Sequence, residues 1–292
     1  MTDRSRLQHA RTILIKVGTE VVNSPDGLLA LGKTGSIVEQ IARLHMQGKQ
    51  IILVSSGAVG IGRMVLKRQH MLSSSMQSHL KGRVASVAAL NPKACAAAGQ
   101  SGMQSLYEVL FSQYHLACSQ ILTSDNDFHV PQIRDNVKQT ILALLKIGII
   151  PVINENDVVS QRKIPLTDAE DRIAWDNDSL ASLVAREVGV DCMIVLTDSN
   201  GLYDPLTKMP LDSYTSKQQW AFADTSRLGP LGQLDKVQSC IEAVNSGLVQ
   251  AAILAPVVSG SIVDILDGKS IGTIFQITNN KPLELGGLNS KL

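Results

Sequence analysis

The 292-residue chain reads as an α/β protein, a doubly wound and mainly parallel sheet with helices on both faces. Short, almost wholly apolar runs alternate with longer stretches of helical periodicity. The residues foreign to such runs, a lysine and clusters of amides and carboxylates, gather where strands end. Ligands of open parallel sheets sit beyond the carboxyl ends of the strands.

The first strand is expected over Ile13–Val22, with Lys16 inside its apolar run and Gly18 just after. An unpaired ammonium out of water is costly. Lys16 therefore either snorkels from an edge strand or faces an anion at a strand's carboxyl end, with Gly18 letting backbone come close. Asn23–Gly27 is a turn cluster. A helix follows over Lys33–Gln47, with Ile37, Ile41 and Leu44 on one face and Gly48 as its stop. Gln50–Ser55 is a strand, and Ser56-Gly57-Ala58 opens the next helix. Met71–Ser86 lacks clean periodicity and reads as a mobile excursion or lid.

Further along, a helix over Pro92–Tyr114 precedes a strand over His115–Leu122. A helix over Pro131–Lys146, ended by Gly148, precedes a strand over Ile149–Ile153. Residues 154–175 form a polar loop, Asp176–Val188 a helix, Asp191–Leu196 a strand, and 197–227 mixed loop and short strand. A helix over Leu234–Ser246 and strands at 250–255 and 271–275 complete the domain, which is placed at 1–276, with a flexible tail over 277–292.

A net charge of +1 and 3% aromatic residues argue against a nucleic-acid surface. Cys95, Cys118, Cys192 and Cys240 are widely spaced and read as reduced, mostly buried thiols. No stretch approaches a membrane span, and the run after Arg4, Arg6 and Arg11 is too short for a secretory core. A soluble intracellular protein is expected. The chain stops at Ser290-Lys291-Leu292, the tripeptide read by the peroxisomal import receptor, behind a Gly-bearing tail that should expose it. A peroxisome-type location follows as an expectation, cytoplasmic otherwise.

Gly27-Leu28-Leu29-Ala30-Leu31-Gly32-Lys33-Thr34 matches the P-loop pattern G-x-x-x-x-G-K-[ST]. Its interior is apolar and helix-favouring, where a phosphate nest needs small, conformationally free residues. We read it as an entry turn with Leu28, Leu29 and Leu31 in the core. Ser56-Gly57-Ala58 would aim helix-opening N–H groups at an anion. Asn154-Glu155-Asn156-Asp157 is either a solvated turn or a set of donors and acceptors for a zwitterion. Asp176-Asn177-Asp178 opens a helix with more carboxylate than capping needs, and could hold a ligand ammonium, a metal ion or a lysine. Thr197-Asp198-Ser199-Asn200-Gly201-Leu202-Tyr203 leaves a strand end where a nucleotide base or ribose could lie. Gly229–Lys236 is a Gly-bearing loop running into a helix with Lys236 in its first turn, a position that a phosphate would favour and the helix dipole would not.

In order and spacing these motifs resemble the glutamate 5-kinases of the amino acid kinase family, and the kinase half of the pyrroline-carboxylate synthases, over roughly residues 11–275. The resemblance implies a three-layer α/β/α sandwich that moves the γ-phosphoryl group of ATP onto the side-chain carboxylate of L-glutamate. It implies that Lys16 and Lys236 neutralise the transferring group and Asp178 aligns them. ATP would be bound by Lys16, Gly18, Thr197, Asp198, Gly232 and Lys236, and glutamate by Ser56, Gly57, Asn154, Asp157, Asp176 and Asn177. Mg2+ would bridge the phosphates with few protein ligands and no dedicated metal site. A carboxylate is already a nucleophile, so no general base is needed. The implied partners are a separate glutamyl phosphate reductase and further copies of the chain in a homo-oligomer, with neither nucleic acid nor membrane.

The chain departs from the family pattern in three places. Pro230-Leu231-Gly232-Gln233 stands where Thr-Gly-Gly-Met is usual, which removes an N–H donor and backbone freedom. Glu20 replaces a small residue beside the phosphate region. The chain is expected to lack the RNA-binding-like tail domain of many bacterial members and the reductase half of the synthases. The rival readings are a kinase of another amino acid, a catalytically weakened subunit that binds glutamate or proline, and a P-loop nucleotidase using Lys33.

Overall fold

The structure, a computed structural model, describes residues 4–24, 28–81, 90–160, 177–216, 219–222, 229–277 and 282–285. A 3-10 turn at Arg4–His9 leads into β1 (Thr12–Val17), the single turn α1 (Thr19–Val22), α2 (Leu31–Met46) and β2 (Gln50–Ser55). Then come α3 (Ala58–Lys81), α4 (Pro92–Ser112), β3 (Cys118–Thr123), α5 (Asp125–His129), α6 (Pro131–Lys146) and β4 (Ile150–Glu155). The rest is α7 (Asn177–Val188), β5 (Cys192–Thr197), β6 (Leu202–Tyr203), β7 (Ala221–Phe222), α8 (Gly229–Asn245), β8 (Ala251–Pro256), α9 (Ser261–Leu266) and β9 (Thr273–Phe275).

Seven strands form one sheet in the order β3-β4-β2-β1-β5-β8-β9, parallel throughout except for β9 against β8. The strands read as continuous apolar runs because both faces are covered. Ile13, Ile15 and Val17 pack with Ile37 and Ile41 of α2, Met103 and Phe111 of α4, and Ile265 of α9. Leu14, between them, faces the other way with Ile52 and Val54, against Leu180 and Val184 of α7 and Val237 and Ile241 of α8. Each such aliphatic side chain contributes about 1.5–3 kcal/mol of transfer free energy. The expected three-layer α/β/α sandwich is therefore present. By the two-residue period of a strand, Lys16 shares the face of Leu14 and points at α7 and α8.

Several boundaries differ from expectation. The first strand ends at Val17, because after Gly18 the chain turns into α1. Lys16 does not snorkel from an edge, since β1 lies between β2 and β5. Met71–Lys81 is the end of α3 instead of an excursion, and 82–89 lie outside the described residues. Met71 and Leu72 are exposed, which explains the missing periodicity. The strand expected from His115 starts at Cys118, and β4 runs on through Asn154 and Glu155, both fully buried, so the solvated-turn reading of those two fails. The short helices α5 and α9 were not expected. Leu28 and Leu31 are exposed and do not enter the core.

Part of the tail expected to be flexible is docked. Asn245 at the end of α8 holds Leu283 by both backbone groups, at 2.7 and 2.8 Å, and the Leu283 side chain joins the core beside α8. The Tyr214 hydroxyl donates to the Glu284 carbonyl at 2.6 Å. Residues 286–292, with Ser290-Lys291-Leu292, lie outside the described set. All four cysteines are free, and burial pushes the Cys192 thiol up to about 12 and that of Cys118 up to about 11. Among the described residues no helix is long and apolar enough to cross a membrane.

Candidate active site

Three elements deliver charge to one point at the carboxyl end of β1. Lys16 is the penultimate residue of β1, Asp178 the second residue of α7, and Lys236 lies in α8. Each is only 3% exposed. Asp178 takes Lys16 Nζ on Oδ1 at 2.5 Å and Lys236 Nζ on Oδ2 at 3.3 Å, so one carboxylate bridges two ammonium groups. Burial alone would raise the Asp178 pKa, but the two lysines outweigh it and hold the carboxyl below its ordinary value. Of the partners left open for the Asp176-Asn177-Asp178 cluster, Asp178 meets lysine. Glu20 of α1 completes the group, with Oε1 3.5 Å from Lys236 Nζ.

Gly18 precedes α1 with ordinary extended backbone, so its value is space and not a left-handed turn. A Cβ there would strike the Glu20 carboxylate. Gly57 does need glycine's freedom: its φ is +119° in the turn from β2 into α3, and a Cβ would crowd Val22 at 3.2 Å. Ser56, buried beside it, donates its backbone N–H to Val17 at 3.0 Å, which ties this turn to the end of β1. Ser55, one residue earlier, shares a 2.7 Å hydrogen bond with the Tyr107 hydroxyl from α4, and burial pushes that phenol up to about 12.

At the end of β4, Asn154 donates Nδ2 to Gln100 Oε1 of α4 at 2.8 Å. Asn154 Oδ1 and Gln100 Nε2 are buried with no hydrogen-bond partner among the described residues. Asn177 spends its Oδ1 on the Glu155 backbone N–H at 3.2 Å, tying the start of α7 to the end of β4. Asp157 is half-buried in the turn after β4, and Asp176 lies outside the described residues. Thr197 ends β5, buried, and donates to the exposed Asp198 at 3.3 Å. Gly232 lies in the helical backbone of α8, which begins at Gly229; the expected Gly-bearing loop is its opening turn, and Lys236 follows well inside the helix. Proline is tolerated there because first-turn N–H groups have no intrahelical acceptor.

The structure thus gathers Lys16, Gly18, Asp178 and Lys236 into one cluster, with Ser56, Gly57, Asn154, Asn177 and Thr197 at neighbouring strand ends. Gln100 and Tyr107 were missed. They sit in a helix whose Ala-rich start reads as plain packing, and no sequence signal marked them.

Residues 11–255 match the model of the amino acid kinase family. A glutamate 5-kinase of Symbiobacterium thermophilum is 37% identical over 93% of this chain and 98% of its own length. The chain belongs to the amino acid kinase family. A delta-1-pyrroline-5-carboxylate synthase 1 of Oryza sativa subsp. japonica is 40% identical over 95% of this chain. The chain spans 39% of that plant protein's length. Among solved structures, a carbamate kinase from Giardia lamblia bound to AMP-PNP aligns with a TM-score of 0.59, over 92% of this chain and 99% of its own, at 15% identity. That last likeness speaks for the amino acid kinase fold alone. The P-loop nucleotidase reading falls with the family.

Proposed function

We propose that the chain transfers the γ-phosphoryl group of ATP to the side-chain carboxylate of L-glutamate, giving glutamyl 5-phosphate and ADP. The observation that carries this reading is the buried Lys16–Asp178–Lys236 bridge at the carboxyl ends of the strands. Relatives named glutamate 5-kinase support the choice of acceptor. A carboxylate oxygen of glutamate attacks the γ-phosphorus, and the bond from that phosphorus to the β–γ bridging oxygen breaks. No proton has to move. Catalysis is then alignment and charge neutralisation, which two ammonium groups locked by one carboxylate can supply. Asn154 Oδ1 is a buried acceptor suited to the substrate ammonium, and the amides that follow Gly57 at the start of α3 suit a carboxylate. Among the described residues the cluster's oxygen donors, Asp178 and Glu20, are both taken by lysine, so Mg2+ would be held mainly by phosphate oxygens and water.

The test is incubation with L-glutamate, Mg-ATP and hydroxylamine. Glutamyl hydroxamate with matched ADP release is expected, and Lys16→Ala or Lys236→Ala should each lower the rate by about 10²–10³-fold. No product with both ligands still bound would favour the non-catalytic subunit, and loss of glutamate binding would mean another acceptor. A separate reductase for the acyl phosphate, a homo-oligomeric state and import through Ser290-Lys291-Leu292 belong to the same proposal. Coupled turnover with a reductase, light scattering, and localisation of the chain with and without the tripeptide test them in turn.

A further inference from the structure

The reaction proposed above has no use for Glu20. Its carboxylate nevertheless folds back over the β1–α1 turn into the space left by the missing side chain of Gly18. That space lies beside Lys236, where a phosphate oxygen would have to come. Glu20 is 10% exposed, and its Oε1 accepts no hydrogen bond among the described residues. Among the described residues its one contact with a cation is loose, 3.5 Å against the roughly 2.7–2.9 Å of a charge-assisted hydrogen bond. Lys16 and Asp178, by contrast, are closed to 2.5 Å. Charge makes the same point. Among the described residues, two ammonium groups against Asp178 alone would leave one positive charge, and Glu20 cancels it. In a site this buried such a cancellation is poorly screened by solvent or salt.

We propose that Glu20 is a built-in competitor for the phosphate seat. Its carboxylate holds Lys236 in the ligand-free protein and must leave that ammonium before a nucleotide phosphate can take it. Glu20 is then a positioning residue that sets nucleotide affinity, acting through Lys236. The inference rests on the phosphotransfer reading of Lys16 and Lys236.

The experiment is calorimetric titration of the full chain with ATP, with and without Mg2+, in wild type, Glu20→Gln, Glu20→Ala and Lys236→Ala, alongside the KM for glutamate. Glu20→Gln keeps the shape and removes the charge, so it guards against a variant that misfolds. Both Glu20 variants should bind ATP about tenfold more tightly, the equivalent of about 1.4 kcal/mol, with the KM for glutamate unchanged. Unchanged or weaker ATP binding in both overturns the proposal. So does a loss seen only when Mg2+ is present, which would make Glu20 an ion ligand. If Lys236→Ala binds ATP as well as wild type does, the phosphotransfer reading itself fails. If wild type binds none, a gain in Glu20→Gln supports the proposal and its absence sinks both.

Discussion

At the amino ends of β1, β2, β5 and β8, polar side chains are spent on the backbone. Asp191 accepts the N–H groups of Arg11 and Thr12 at 2.8 and 3.0 Å and an amide hydrogen of Gln250 at 3.0 Å. Lys49 Nζ donates to the carbonyls of Gln8 and Ala10 at 3.1 and 2.7 Å. At the carboxyl ends the charged groups meet one another instead, and Asn154 Oδ1, Thr123 Oγ1 and Glu20 Oε1 are buried with no hydrogen bond among the described residues. Each of the two neutral atoms among these, Asn154 Oδ1 and Thr123 Oγ1, costs about 1–3 kcal/mol if left without a partner. The amino end is tied off largely by hydrogen bonds to backbone, although His45 Nδ1 in the last turn of α2 is also buried without one among the described residues. The charges that face one another at the carboxyl end are what support placing the proposed chemistry there.

Asp178→Asn attacks the comparison hardest. It leaves two buried ammonium groups facing an amide, which should cost about 3–5 kcal/mol of stability and abolish turnover. The acid limb adds a second readout. The folded Asp178 pKa lies below its unfolded value, so the unfolded chain takes up this proton first as pH falls. The stability owed to its ionisation is complete above an unfolded pKa of about 3.9 and is lost as pH drops through the folded value. Urea midpoints of wild type and variant should differ most above about pH 5 and converge below about pH 4. Curves that stay parallel down to pH 3 would mean that this carboxylate does not carry the cluster.

Asp191→Ala probes the other end and should cost less, about 1–2 kcal/mol by urea denaturation, because water can reach part of that site. The kcat and KM values of the folded fraction should not change. A loss of activity greater than the loss of folded protein would erase the distinction between the two ends.

How much of this was legible in the sequence follows from the same physics. Lys16 stood out because an ammonium inside an apolar run demands an explanation, and Asp178 because capping needs only one acidic residue. Their meeting with Lys236 followed from the family resemblance and not from spacing or pattern, since it depends on α7 and α8 packing side by side on one face of β1. Asn154 and Glu155 were placed in a turn because polar residues dominate turns, yet tertiary ties to Gln100 and Asn177 bury them as strand. The end of α3 was missed because Met71 and Leu72 face solvent, so burial wrote no pattern there. Pro230 and two glycines read as a loop, where the backbone uses them as a helix start.

Lys33 gives the gentlest and most discriminating test. Its motif satisfies the P-loop pattern letter by letter, but Lys33 is exposed on the first turn of α2 and takes no part in the lysine cluster. A cation at a helix start opposes the dipole, and alanine is the better helix former. Lys33→Ala should therefore hold stability level or raise it by about 0.3–0.5 kcal/mol, with turnover within twofold of wild type. Gly32→Ala extends the same logic. Nothing lies within 4 Å of the added Cβ, so it should stabilise the helix by about 0.5–1 kcal/mol, whereas a glycine lining a phosphate nest would lose nucleotide binding. A tenfold fall in activity from either change would return the phosphate site to α2 and undo the reading of Lys16 and Lys236.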